Sequence, residues 1–107
     1  MNVRRSERVI LNLPAEIIIQ GVSYASSIEN LSEEGAYIIT ASAENTSAFS
    51  SDTVLQLKFH FPSGEAQLLH CKIKWSYLTP PHGFTNSMGL EIIDPPFSYQ
   101  GQLKSLK

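Results

Sequence analysis

The sequence predicts an all-β domain, a small antiparallel barrel that is closed or nearly so, and three observations predict it. Apolar and polar residues alternate with period two in one segment after another, the mark of strands with one buried and one wet face. Turn residues punctuate those segments, and no convincing long helix separates any two of them, so neighbouring strands run antiparallel. With 107 residues the chain has room for one hydrophobic core and not for two, so residues 1–107 are expected to form a single domain.

In chain order, Val9, Leu11 and Leu13 share one parity, and after Pro14 the β-branched Ile17-Ile18-Ile19 continue the extended run. Gln20-Gly21 turns the chain into a strand over residues 23–28, and a further strand spans residues 36–40. The clearest pair comes next. Leu55, Leu57, Phe59 and Phe61 alternate with Val54, Gln56, Lys58 and His60. After the hairpin turn Pro62-Ser63-Gly64-Glu65, Leu69, Cys71, Ile73, Trp75 and Tyr77 alternate with His70, Lys72, Lys74 and Ser76. By this parity Trp75 and Tyr77 face the core, with a place beside a bound ligand as the alternative for Trp75. Residues 79–87, with Pro80-Pro81 and Gly83, read as a longer loop before a last strand carrying Met88, Leu90 and Ile92, which Asp94-Pro95-Pro96 stops. Residues 41–52 read either as a loop or as one helical turn, and residues 97–107 as a short terminal helix or a frayed tail.

Composition narrows the function. A formal net charge of -2 argues against a protein that lives on duplex DNA, which needs a broad basic surface to displace counterions. The single cysteine, Cys71, cannot close an intramolecular disulfide, and no apolar run approaches the roughly 20 residues of a membrane span, so a cytoplasmic protein is expected. His60 and His70 fall on the solvent parity and His82 on a loop, without metal-ligand spacing. No nucleophile stands beside a plausible base and no carboxylates pair, so neither a metal, nor a cofactor, nor an enzyme is expected.

Two polar stretches remain. In Arg4-Arg5-Ser6-Glu7-Arg8, Arg4 and Arg8 are an even number of residues apart, so in an extended chain both point to one side and can converge on one ligand, while Arg5 points away, to solvent or to a second ligand molecule. A guanidinium offers a planar fork of donors that fits a phosphate or the O6/N7 edge of guanine. Downstream, Asn30 and Ser32 share a strand face while Leu31 turns to the core. Ser32-Glu33-Glu34-Gly35 is a turn in which Gly35 allows positive φ or close approach to the backbone. Alone, the first stretch reads equally as a solubilising tail, and the second as a turn whose Asn30 or Ser32 bonds the local backbone.

Together, in this order and on this strand pattern, the two stretches resemble the PilZ domain family, receptors for cyclic di-GMP. That family is marked by RxxxR on an amino-terminal segment and by Asp/Asn-x-Ser-x-x-Gly at a strand junction, places filled here by Arg4, Arg8, Asn30, Ser32 and Gly35. Val9, Lys74-Trp75 and Met88-Gly89-Leu90-Glu91 also look like family positions, so the resemblance runs over nearly the whole chain. It implies a six-stranded antiparallel β-barrel over residues 9–94, a flexible arginine-bearing arm over residues 1–8 and a tail or short helix over residues 95–107. The implied function is a cyclic di-GMP receptor that changes conformation on binding and signals to a protein effector, in motility or biofilm formation. Its ligand would be held by Arg4, Arg5, Arg8, Asn30, Ser32 and Gly35. Two alternatives stand beside it: a PilZ-like docking module that binds no nucleotide, and a small oligonucleotide-binding barrel, which would need exposed aromatics on a basic groove.

Overall fold

The computed structural model describes residues 8–41, 46–78 and 85–106. Six strands, β1 (Val9–Ile19), β2 (Val22–Leu31), β3 (Gly35–Ala41), β4 (Val54–His60), β5 (Ala66–Leu78) and β6 (Thr85–Ile93), are followed by one helix, α1 (Phe97–Ser105). The strands close a barrel in the order β1-β2-β3-β6-β5-β4, with β4 returning to β1 and every ladder antiparallel. The expected six-stranded barrel is the one observed. Of the two readings of the terminus, the helix is the one that forms, and among the described residues of 41–52 a 3-10 turn lies at Thr46–Phe49.

The alternation of the sequence becomes the inside and outside of the barrel. Ile17, Ile28, Ile38, Leu57, Leu69 and Ile73 are fully buried, each stabilising the fold by about 1.5–3 kcal/mol through loss of apolar surface to water. Gln20 and Gly21 both have positive φ, the pair of left-handed residues that a tight two-residue hairpin needs, and they join Ile19 to its partner Val22. Pro14 lies in β1 just outside residues 15–18, which pair with β4, a place where a missing backbone N–H is tolerated. At one barrel end Phe49, from the 3-10 turn, packs edge-on against Tyr24. At the other, α1 lays the buried Tyr99 and Leu103 beside the β2–β3 turn and the β4–β5 hairpin, with Tyr99 against Phe61.

Two expectations are corrected. Trp75 and Tyr77 are 42% and 52% exposed and lie on the outer wall, not in the core. The β5–β6 register shifts between Ile73 and Trp75, and an extra residue at such a bulge reverses the parity of everything beyond it. The last strand also begins earlier than its apolar residues suggest, at Thr85, because Asn86 and Ser87 are buried polar residues in full pairing with β3 and β5.

Candidate functional site

Asn30 faces outward because β2 carries its own bulge. Ile28 and Leu31 are both fully buried although three residues apart, which strict alternation forbids, and the β2–β3 register shifts between Ile28 and Asn30. The shift turns Asn30 to the outer wall, where Arg8, the residue before β1, reaches it: Arg8 Nη1 donates to Asn30 Oδ1 at 2.7 Å. The two polar stretches therefore meet in space. Arg4 and Arg5 lie outside the described residues.

Ser32 takes a different part. It is 4% exposed, and its Oγ accepts from the backbone N–H of Gly35 at 3.1 Å and of Glu34 at 3.3 Å, while its own N–H donates to the Gly35 carbonyl at 2.9 Å. The hydroxyl organises the turn, as the local-backbone reading of the sequence has it. Two tertiary bonds then pin that turn. Ile92 N–H donates to the Glu34 carbonyl at 2.8 Å, and the buried Tyr99 hydroxyl donates to the Ser32 carbonyl at 2.6 Å. Gly35 is required by close approach and not by φ: a Cβ there would stand 2.8 Å from the Leu90 carbonyl oxygen of β6. Of the two intervening carboxylates, Glu34 is exposed and Glu33 half-buried.

Beside this turn the outer wall carries a row of three paired residues, Tyr37 on β3, Gly89 on β6 and Trp75 on β5. The Trp75 indole lies over Gly89 so closely that any Cβ would overlap it, and it meets Tyr37 across the glycine at a ring separation of 5.8 Å. Tyr77 stacks with the indole at 5.4 Å with planes only 12° apart. A cleft of about 400 Å³ results, bounded by Arg8, Asn30, Tyr37, Lys74, Trp75 and Gly89. It presents a flat aromatic face, a guanidinium, an ammonium and an amide, which together suit a planar base attached to an anion.

Sequence reasoning brought Arg8, Asn30, Ser32 and Gly35 to this region but left Trp75 in the core and gave Tyr37 and Tyr99 no part. The missed signal is the bulge at Lys74, which leaves no trace in the alternation of β5. Elsewhere, His60 and His70 are exposed, and among the described residues no group of three or more His, Cys, Asp or Glu converges. Cys71 is buried, and burial pushes its thiol up to about 12, so it is a core residue and not a nucleophile.

Comparison with known proteins agrees with this fold. A family model described as the PilZ domain matches residues 2–106. Among solved structures the chain is similar to that of the Bacillus subtilis inhibitor of motility, MotI/DgrA, with a TM-score of 0.78 and 17% identity over 99% of this chain and 50% of that one. It is also similar to MrkH from K. pneumonia, solved as a complex with c-di-GMP, with a TM-score of 0.73 and 13% identity over 99% of this chain and 51% of that one. At such identities the likeness is one of fold, and the chain spans about half the length of each. No curated protein matches it.

Proposed function

From the premise that the chain belongs to the PilZ domain family, we propose that it is a receptor for cyclic di-GMP that acts by binding and not by catalysis. The observation that carries this reading is the Arg8–Asn30 hydrogen bond, which joins the family's two marked stretches at the mouth of a cleft walled by an exposed tryptophan. The ligand has two phosphodiester charges and two guanines. Arg8 fits one phosphate or a guanine edge, Asn30 bonds a base, and the Trp75 face takes a purine by stacking. Arg4, carried over from the family pattern, adds a cationic fork from residues 1–8, which close over the ligand, and Arg5, outside that pattern, is available to a second ligand molecule. Ser32 and Gly35 serve by shaping the turn.

In this reading residues 1–107 are one domain, with residues 1–8 as the arm, 9–94 as the barrel and 95–107 as the helical tail, and the liganded surface is presented to a protein effector. One structural neighbour is an inhibitor of motility, so control of motility is a natural setting for that effector, with biofilm formation the second. A cytoplasmic bacterial location is consistent with one buried free thiol, and no helix among the described residues is long and apolar enough to cross a membrane. Nothing among the described residues of the outer wall favours DNA.

Calorimetry with cyclic di-GMP, GMP and a short single-stranded oligonucleotide tests the proposal. Heat for the first alone supports it. Heat for none favours the docking module, and heat for the oligonucleotide favours a nucleic-acid barrel. By thermal melting, cyclic di-GMP at 100 times its dissociation constant is expected to stabilise the domain by about 2.7 kcal/mol.

A further inference from the structure

We infer that Tyr99 is a positioning residue for the ligand-binding turn, and that the carboxy-terminal helix α1 is therefore linked to ligand occupancy and serves as the element that reports it. The inference rests on the reading of the cleft as a cyclic di-GMP site. The turn at residues 32–35 is held internally by Ser32, and from outside it receives one bond from β6 and one from Tyr99 of α1. The second is a phenol, fully buried, at 2.6 Å from the Ser32 carbonyl, and 67 residues separate the partners in sequence. Without it that carbonyl loses its phenolic donor in a buried place, and the turn beside Asn30 keeps its tie to β6 but loses its tie to α1.

The helix is suited to reporting because little of its stability is its own. It has nine residues, Gly101 at its middle and Pro96 at its N-cap without a side-chain bond, and an isolated helix of that length is marginal in water. Its hold on the barrel includes the burial of Tyr99 and Leu103, the Ser32 bond, and the Gln102 amide, which donates to the Glu65 carboxylate at 2.6 Å and accepts from the Ser63 hydroxyl at 3.3 Å. Any change that a ligand makes in the turn is felt at Tyr99, and any loosening of α1 is felt by the ligand, since the coupling free energy is the same in both directions. A partner that reads α1 thus reads the nucleotide without touching it.

The test uses the full chain with cyclic di-GMP. Tyr99→Phe keeps the ring and removes only the hydroxyl, and it is expected to weaken binding about five-fold or more with circular dichroism unchanged. Independently of any variant, hydrogen exchange in the α1 amides of the unmodified protein is expected to change on saturation with cyclic di-GMP, a response that a purely structural phenol would not give. If the unmodified protein binds, yet Tyr99→Phe binds equally well and exchange in α1 ignores the ligand, the inference is overturned while the proposed function stands. If the unmodified protein does not bind, both fall.

Discussion

Arg8 Nη1 donates to Asn30 Oδ1 at 2.7 Å, a bond that joins two polar motifs 22 residues apart. A guanidinium carries five N–H donors and this bond uses one, so Arg8 can hold a ligand from the same place, and the gain comes from pairing a guanidinium with an anion. Arg8→Ala is therefore expected to cost about 1–3 kcal/mol of binding, roughly five- to 150-fold in dissociation constant. The partners are at the surface, so the melting temperature of the free protein should hardly move. Arg8→Lys keeps the charge but not the fork and should fall between. Calorimetry and thermal melting on the same samples check both, and wild-type affinity in Arg8→Ala would place Arg8 outside the site.

Trp75 is the only tryptophan of the chain and lines the cleft, so intrinsic fluorescence reports the site directly. Cyclic di-GMP is expected to quench that emission as a purine stacks on the indole. Trp75→Ala should lose about 1–3 kcal/mol of binding, the usual worth of one base–aromatic stack. Gly89→Ala should displace the indole, because its Cβ overlaps the ring. Its signature is a shifted emission spectrum in the free protein together with weakened binding. An unchanged spectrum would mean that the glycine does not seat the ring.

The barrel and part of the site were legible because strands write their burial directly into alternation. β4 is the plain case, with Leu55, Leu57 and Phe59 inward and Lys58 and His60 outward as read. The pattern fails where a bulge intervenes. β5 looks regular through Tyr77, yet the shift after Ile73 sends Trp75 outward, and nothing in the residue types marks that position. The Arg8–Asn30 meeting was legible as a motif and not as geometry, since it depends on a second bulge that turns Asn30 to the outer wall of the barrel. Tyr99 was beyond reach for another reason: its contact with Ser32 spans almost the whole barrel in sequence, and neither residue type demands the other.

Gly35→Ala tests the packing of the turn apart from the ligand. The added Cβ would stand 2.8 Å from the Leu90 carbonyl oxygen, a backbone atom that can retreat only by opening the β3–β6 ladder. Overpacking of this kind costs about 1–3 kcal/mol, which for a domain of this size is a fall of several degrees in melting temperature. Gly101→Ala is the control, since open space surrounds that position and alanine favours the helix. It should be neutral or slightly stabilising. A Gly35→Ala protein as stable as its parent would mean that the ladder yields at no cost.

Cys71 and Tyr99 set the alkaline limit of the fold. Burial pushes the thiol from 9.0 up to about 12. The phenol also rises from 10.0, through burial first and then through the negative charges that Cys71 and Glu33 bring near it. In the unfolded chain both groups lose their protons nearer their ordinary values, so above about pH 9 the unfolded state holds fewer protons than the folded one, and raising the pH draws the equilibrium toward it. Their contribution is complete below that point and is lost as the pH climbs through the folded values, with a slope of about 1.4 kcal/mol per pH unit for each group. Urea unfolding at several pH values from neutral to strongly alkaline measures the decline. Cys71→Ala removes the thiol's share, so its decline should begin nearer the phenol's range, and Tyr99→Phe should flatten the upper part of the curve. If both variants follow the wild-type curve, other groups govern alkaline unfolding and the fold does not hold these two protons.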